Sequence, residues 1–214
     1  MVGYEAGRTP VADEADRGPR PGTGSGRARA LTDPLGIVDR MPLRCELDPE
    51  TTPELLDSVC ALWTDVSNAG GAVGFVPPVV KDDIRPELLK HLAAMTEGRT
   101  RLLLGRDEDG AVAATAFFTF NTHRLMRHWC WLYTVMVHPS HQGKGYGRAL
   151  MAAAEDAART MDGIRGIRLT CRGGTGADLF YGRCGYKEVG RVPGAIKVAD
   201  DDFRDDVTMW LPLN

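Results

Sequence analysis

The chain has 214 residues, with 26 Lys and Arg against 29 Asp and Glu, and 43% of its residues are hydrophobic. This length fits one domain with a full core, and the slightly negative net charge gives no reason to expect a nucleic-acid-binding or membrane-binding protein. The scattered cysteines form no CxxC pair, so neither a disulfide framework nor a metal site is expected, and a cytoplasmic location is favoured. They are Cys45, Cys60, Cys130, Cys171 and Cys184.

Residues 1–40 differ in composition from the rest of the chain. They are rich in Gly, Pro, Ala, Arg and Asp and contain few large apolar side chains. We therefore expect a disordered N-terminal tail over residues 1–40, followed by a single domain over residues 41–214. An alternative is that translation starts at Met41. No apolar run approaches the roughly 18 residues of a membrane-spanning helix, and no apolar leader is found at the N-terminus.

Two helices are predicted near the start of the domain, after a short strand over residues 42–47. The first begins at Thr51-Thr52-Pro53-Glu54, which supplies an N-cap threonine and a first-turn proline. It ends before Gly70. The second covers about residues 83–96, with apolar residues on one side, and Gly98 ends it.

The remainder of the domain alternates between strands and two further helices. Strands are predicted over residues 101–105, 111–120, 129–137, 167–171, 186–191 and 207–213, and helices over residues 145–161 and 177–183. The strand over residues 129–137 is almost wholly apolar, which indicates a central position in a sheet. The order β-α-α-β-β-β-α-β-α-β-β indicates an α/β (α+β) fold, in which a mixed, mostly antiparallel sheet has helices on both faces.

The stretch VMVHPSHQGKGYGR, residues 135–148, lies where this central strand meets a helix. A helix N-terminus presents unpaired N–H groups and a partial positive charge, both of which favour an anion. Three glycines leave these donors accessible and two cations add positive charge. These residues are Gly143, Gly145, Gly147, Lys144 and Arg148. From turn chemistry alone, a phosphate site and a strand-to-helix turn without a ligand are equally good interpretations.

The spacing of the glycines argues against two common nucleotide sites. Lys144 is followed by Gly145 rather than by Ser or Thr, so the Walker A pattern of ATP-binding proteins fails. The GxGxG spacing also differs from the GxGxxG of dinucleotide-binding proteins. ATP and NAD are therefore not favoured as ligands.

Two motifs carry a resemblance to a known family. Gln142-Gly143-Lys144-Gly145-Tyr146-Gly147 matches Q/R-x-x-G-x-G/A, the signature of the GNAT superfamily of acyl-CoA-dependent N-acetyltransferases, and V-x-P precedes it (Val137-His138-Pro139). Downstream, FYGRCGYKEVG over residues 180–190 is similar to the second signature of that family, Y-x-x-x-G-F/Y followed by a strand. The resemblance covers about residues 42–214, and it implies the GNAT fold, with a sheet splayed at the cofactor site.

The resemblance implies an N-acetyltransferase that uses acetyl-CoA as co-substrate and no metal. In such proteins the coenzyme pyrophosphate lies on the amides of the glycine turn and the pantetheine arm pairs with the preceding strand. A backbone N–H there, assigned to Met136, faces the thioester oxygen. The residues implied at the cofactor are Val135, Met136, Val137, Gln142, Gly143, Lys144, Gly145, Tyr146, Gly147 and Arg148.

The same resemblance places Tyr181 where its hydroxyl reaches the sulfur and acts as general acid, while packing under the sheet is the alternative. The general base is left unassigned, because the strand over residues 129–137 contains no carboxylate. The candidates are His123, His128, His138 and Asp178. The loop after the strand that follows the glycine helix, residues 172–176, lacks an asparagine that many members have, which leaves the cofactor contacts there open.

The acceptor is expected to be the primary amine of a small molecule or of a peptide or protein. Its pocket is expected between the first two helices, the apolar and flexible segment over residues 70–80, and the loop before the last strand. The acidic residues between Asp200 and Asp206 are expected either to attract a cationic amine or to form a solvated loop. No nucleic-acid or membrane partner is expected, and a homodimer is left open. The alternative function is a non-catalytic acyl-CoA-binding sensor or interaction module.

Overall fold

A computed structural model describes residues 43–213, so the tail predicted over residues 1–40 lies outside the described residues. The helices are α1 Pro53–Asn68, α2 Lys81–Thr96, α3 Tyr146–Arg159 and α4 Ala177–Arg183. The strands are β1 Arg44–Leu47, β2 Thr100–Arg106, β3 Val112–Phe120, β4 Cys130–Val137, β5 Gly166–Arg172, β6 Lys187–Ala199 and β7 Asp202–Pro212. Short 3₁₀ turns lie at Arg124–Met126 and Pro139–His141. Over residues 43–213, no helix combines the length and the apolar character that crossing a bilayer requires.

The strands form one sheet in the order β1-β2-β3-β4-β5-β7-β6. All neighbouring strands are antiparallel except β4 and β5, which are parallel. The mixed, mostly antiparallel sheet predicted from the order of the elements is therefore confirmed. The apolar strand β4 lies in the middle of the sheet, as its sequence indicated.

The first two helices begin where side chains satisfy their free backbone donors. The Thr52 hydroxyl accepts a hydrogen bond from Leu55 N–H (3.2 Å) and Pro53 occupies the first helical position. The helix α2 begins two residues earlier than predicted, because the carboxylate of Asp83 accepts a hydrogen bond from Val80 N–H (2.9 Å).

Hydrophobic cores lie on both faces of the sheet, as predicted. The helices α3 and α4 pack on one face over a core that includes Leu132, Leu150 and Leu169. The helices α1 and α2 pack on the other face, over a core that includes Trp63 and Phe117. The apolar stripes of the helices thus bury both faces of the sheet.

The strands β4 and β5 separate soon after they start. They pair only at Cys130 with Ile167 and at Trp131 with Arg168, and β4 continues to Val137 without β5 beside it. The splay predicted at the cofactor site is therefore confirmed. It leaves one edge of the second half of β4 without a neighbouring strand.

A bulge in β4 lies beside this splay. The register between β3 and β4 shifts between Thr115 and Phe117, and Thr134 takes a left-handed φ of 51°. Because a bulge adds one residue to a strand, the side chains beyond it change faces. Leu132 accordingly packs on the α3 side, whereas Met136 packs on the side of α1 and α2.

The last two strands are longer than predicted and form an extended hairpin. The prediction ended the sixth strand at residue 191 and began the seventh at residue 207, whereas the ladder includes Ile196 opposite Arg204 and Lys197 opposite Phe203. Strands were not predicted here because the intervening residues include several acidic side chains, which repel one another when close together. In the hairpin, Arg191 on β6 contacts Asp205 on β7 (3.1 Å), which offsets part of this repulsion.

Candidate functional site

The glycine turn lies at the start of α3 and keeps its backbone accessible. Gly143 and Gly145 adopt left-handed φ values of 74° and 88°, which side chains rarely tolerate. A Cβ atom added at either glycine would meet nothing within 4 Å. The first N–H groups of α3, from Tyr146 onward, have no partner within the helix by geometry. The turn therefore presents donors to an open surface, which suits an anion.

Side chains around the turn hold it against β4 and the β2–β3 turn. The Gln142 amide donates to Val137 O (3.0 Å), and His141 stacks on Tyr146 with ring centroids 4.5 Å apart. His141 Nε2 also lies 3.2 Å from a carboxylate oxygen of Asp107. The Tyr146 ring is buried, so only its backbone faces the anion site. Lys144, like Arg148, is exposed.

The free edge of β4 presents the backbone of Val135 and Val137. Successive residues of a strand direct their N–H and C=O groups to opposite sides. Since His138 N–H donates to Ala113 O in β3 (2.8 Å), Met136 also faces β3, opposite Thr115.

This geometry corrects the role assigned to Met136. Its N–H faces β3 and not the splay, so an N–H directed at the gap must come from a neighbouring residue. Val135 and Val137 are those neighbours, and both line the cavity described next. The Met136 side chain lines the cavity too, but it is only 1% exposed and belongs to the core.

A cavity of about 860 Å³ runs along the splay. On the cofactor side its wall is formed by Val135, Met136, Val137, Gln142, Thr170, Cys171, Ala177 and Tyr181. The remaining predicted cofactor residues lie at the turn, outside this lining, and are Gly143, Lys144, Gly145, Tyr146, Gly147 and Arg148. The structure thus brings β4, Gln142 and Tyr181 together around one space.

Tyr181 lies in α4 with its side chain 9% exposed and its surface toward the cavity. Its ring packs on Tyr186, with centroids 5.9 Å apart. Burial, followed by the nearby thiols of Cys171 and Cys184, raises the pKa of the Tyr181 hydroxyl well above its usual range. The hydroxyl therefore keeps its proton at neutral pH and is a hydrogen-bond donor.

Helix α1 and the segment after it form the opposite wall. The indole N–H of Trp63 donates to Val73 O (2.8 Å), and the Trp63 ring meets Phe75 edge-on, with centroids 5.8 Å apart. The side-chain amide of Asn68 donates to Val79 O (2.9 Å) and accepts from Val79 N–H (3.0 Å). Residues 71–75, which belong to the segment predicted to cover an acceptor, line the cavity. The segment over residues 70–80 was expected to be flexible, whereas the hydrogen bonds from Trp63 and Asn68 restrain it.

His91 is a titratable residue of the acceptor wall that the sequence analysis missed. Its imidazole stacks on Phe117 (centroids 4.4 Å apart, planes at 24°) and lies 6.0 Å from Trp63. Burial lowers the pKa of His91 below its ordinary value, so the ring is neutral at pH 7. A signal was available, because His91 follows Ile84 by seven residues and Leu88 by three, which is the spacing of one helix face.

The four residues considered as a base lie outside the cavity lining: His123, His128, His138 and Asp178. His138 instead contacts Asp65 (3.4 Å), and Asp178 contacts Arg191 (3.4 Å). The acidic residues near the C-terminus also lie outside this lining. Within residues 43–213, no cluster of three or more His, Cys, Asp or Glu side chains is placed to hold a metal ion.

Known structures share this fold. A candidate phosphinothricin N-acetyltransferase is 24% identical (TM-score 0.66, covering 80% of this chain and 99% of that one). YncA from Salmonella typhimurium, solved with acetyl-CoA and described as an acetyltransferase, is 21% identical (TM-score 0.63, 81% and 95%). Spermidine N-acetyltransferase from Vibrio cholerae, in complex with CoA and spermine, is 18% identical (TM-score 0.63, 80% and 96%). Identities this low establish the fold alone.

Family membership comes from the sequence itself. Among curated proteins, none matches the chain. The family model described as "Acetyltransferase (GNAT) family" matches residues 73–186, which is more than half of the chain and includes β4, the glycine turn and Tyr181. The chain belongs to the GNAT family of acetyltransferases.

Proposed function

We propose that this enzyme transfers an acetyl group from acetyl-CoA directly to the primary amine of a small molecule, a peptide or a protein. The observation that carries the proposal is the single cavity of about 860 Å³. It joins the free edge of β4 and Tyr181 on one side to Trp63 and His91 on the other. A thioester and an amine held there would be positioned for direct reaction.

The cofactor side fits acetyl-CoA by its backbone chemistry. The amides at the start of α3 and the exposed cations Lys144 and Arg148 suit a pyrophosphate. The free edge of β4 suits an extended pantetheine arm, which would pair with Val135 and Val137 as a short additional strand. Acetyl-CoA, when bound, supplies the acetyl group as a reactive thioester. The Val135 N–H is our proposed donor to the thioester oxygen, where negative charge develops.

Tyr181 is the proposed donor to the departing sulfur. A tyrosine hydroxyl already holds its proton at neutral pH, and burial raises its pKa further, so it can donate to a developing thiolate throughout the physiological range. Cys171 lies in the same wall, but burial raises its pKa to about 11. Since the thiolate is the nucleophilic form of cysteine, an acetyl-cysteine route is disfavoured and direct transfer to the amine is favoured.

The proposed acceptor wall is the side of the cavity formed by α1, α2 and the segment between them. Its charges favour an amine that also carries an anionic group. Glu87, Lys90 and Arg99 line this wall. Glu87 pairs with Lys90 (2.7 Å), and Arg99 pairs with Glu97, which is outside the lining. The lining itself holds one more cation than anion, which would attract a carboxylate more than a polycation, and the Glu97 partner of Arg99 just outside the lining weakens this preference. We therefore favour amino-acid-like acceptors over polyamines.

An amine panel tests the proposed function. The panel holds phosphinothricin, spermidine and a peptide with N-terminal alanine, together with L-glutamate and butylamine. Free-thiol release from acetyl-CoA is measured, and mass spectrometry identifies the acetylated product. We expect turnover with at least one anionic amine, and Tyr181→Phe should lower kcat by about 100-fold, as loss of general acid catalysis does.

Tyr186→Phe is the matched control for this experiment. The Tyr186 hydroxyl is buried without a hydrogen-bond partner among the described residues, and Tyr186 does not line the cavity. Its removal should leave turnover unchanged. Tight acetyl-CoA binding without turnover on any amine would instead support the alternative, a non-catalytic acyl-CoA-binding module.

A further inference from the structure

We infer that His91 accepts the proton that the acceptor nitrogen loses during acetyl transfer. The inference rests on the proposed function and adds the proton acceptor, which no motif identified. His91, which comes from helix α2, was not among the candidates named from the sequence.

The position of His91 follows from the pairing of β3 with β4. The imidazole stacks on Phe117, and Phe117 is directly opposite Tyr133 in the ladder. Residues opposite each other in an antiparallel pair point to the same face, so the imidazole and Tyr133 share a face, and both line the cavity. Tyr133 immediately precedes the bulge at Thr134, and the free N–H of Val135 follows. His91 thus lies over β3 on the cavity face that β3 shares with Tyr133, beside the proposed meeting point of the amine and the thioester.

The acceptor wall offers few other groups that can take up a proton. Of its charged residues, Glu87 is the carboxylate, and Lys90 is paired with it at 2.7 Å. The ring contacts of His91 are to Trp63 and Phe117, and the residues in the described range give its imidazole no hydrogen bond or ion pair. The ring nitrogens therefore remain available to a substrate or to a bridging water.

Burial, more than the surrounding charges, keeps the imidazole neutral. Burial lowers its pKa, while Glu87 raises it and Lys90 lowers it by smaller amounts. From β3 the ring meets uncharged Phe117, and from α1 uncharged Trp63. The hydroxyl of Tyr133 on β4 is also uncharged at neutral pH, because burial raises its pKa. Cys171 and Tyr181 across the cavity are neutral for the same reason, which leaves Arg99 as a further cation on the wall.

The step balances in atoms and charge. The nitrogen lone pair forms a bond to the acyl carbon, and the C–S bond breaks with its electron pair on sulfur. Bond formation makes the nitrogen more acidic, so an imidazole of low pKa suffices to take one proton from it. Sulfur gains one proton from the Tyr181 hydroxyl. His91 then releases its proton to water, and Tyr181 takes a proton from water. The products are the amide and free CoA.

The test compares the full-length enzyme with His91→Ala and His91→Gln, using acetyl-CoA and L-glutamate, or the fastest other amine of the panel above. We expect kcat to fall by about 100-fold in both variants, as general base catalysis predicts, with the Kd for acetyl-CoA unchanged by calorimetry. In the wild type, kcat should fall as pH drops below the lowered His91 pKa, since protonated imidazole cannot accept a proton. Both variants should lose this acidic limb, and added imidazole should partly rescue His91→Ala but not His91→Gln.

His128→Gln is the control, because His128 lies outside the cavity lining and is exposed. Three outcomes would overturn the inference while the proposed function stands: an unchanged kcat, a retained acidic limb, or a loss explained by weaker acetyl-CoA binding. A wild-type enzyme that turns over no amine would overturn the proposed function and this inference with it. Turnover that depends on Tyr181 but not on His91 would therefore support the proposed function and overturn this inference alone.

Discussion

The proposed cofactor half of the cavity is built mainly from backbone groups, and the proposed acceptor half is built mainly from side chains. The cofactor half is mainly backbone: the free edge of β4 at Val135 and Val137, and the amides beyond the left-handed Gly143 and Gly145. The acceptor half is mainly side chains, from α1, α2 and the segment between them, with Trp63 and His91 among them. A backbone site requires particular glycines at particular spacings, so it leaves a motif in the sequence. A side-chain site leaves only residues that resemble an ordinary helix surface.

Reversing the charge of Arg148 should have the largest effect on the cofactor half. Arg148 lies exposed in the first turn of α3, next to the proposed pyrophosphate site. In Arg148→Glu the Kd for acetyl-CoA should rise by about 10- to 100-fold, or about 1.4 to 2.8 kcal/mol. The Tm should not fall, because an acidic residue in the first turn of a helix is favourable. Calorimetric titration and thermal unfolding measure the two quantities.

Arg127→Glu is the matched control for this charge reversal. Arg127 is exposed just before β4, at the opposite end of that strand from the glycine turn, and carries the same change in charge. Its Kd for acetyl-CoA should stay within about twofold, because exposed charges beyond a Debye length are screened. An equal rise in the Kd for acetyl-CoA in both variants would show that the net charge of the protein, and not the glycine turn, sets the affinity for acetyl-CoA.

Trp63→Phe should give the converse result by disturbing the acceptor half alone. The change removes the hydrogen bond from the indole to Val73 O (2.8 Å) and so loosens the segment over residues 71–75. We expect the acceptor KM to rise by about 3- to 10-fold through poorer positioning, with the Kd for acetyl-CoA unchanged. Trp210→Phe, which makes the same substitution outside the cavity lining, should leave both constants unchanged. A higher Kd for acetyl-CoA in Trp63→Phe would mean that the two halves are coupled.

The sequence predicted the fold more fully than the site. The apolar periodicity and the turn residues led to the element order and the central β4, because each depends on local chemistry. The splay was implied by the family resemblance that the glycines and the V-x-P carry. The N–H of Met136, which the sequence-based interpretation named as the donor, faces β3 instead of the splay, since the direction of an N–H depends on register with β3, which residue types do not encode. His91 was overlooked because its place in the cavity lining depends on what packs opposite its helix. Its position on the apolar face of α2 was nevertheless readable from the spacing with Leu88.

Arg99→Gln should refine the acceptor half by separating classes of amine. Arg99 lines the cavity, is about half exposed and pairs with Glu97, so its attraction to a substrate anion is screened and worth about 0.2 to 1 kcal/mol. The KM for an anionic amine should therefore rise by only a few-fold, while that for butylamine stays unchanged. Arg101→Gln is the control, because Arg101 pairs with Asp48 (2.6 Å) outside the lining. An equal rise in KM for both amines would remove the argument for an anionic acceptor.

Cys171→Ala should have the smallest effect, and its result decides how the two halves work together. Cys171 lines the cavity, and burial raises its pKa to about 11, so about one molecule in 10⁴ carries the thiolate at pH 7. If the acetyl group passes directly to the amine, kcat should stay within about twofold of the wild type, as in the control Cys45→Ala outside the lining. A loss confined to Cys171→Ala would mean that the acetyl group rests on sulfur and that the halves are filled in turn. An intact kcat would exclude Cys171 as the acetyl carrier. Direct transfer requires cofactor and acceptor to occupy the cavity together, which initial-rate kinetics would show as intersecting rather than parallel double-reciprocal lines.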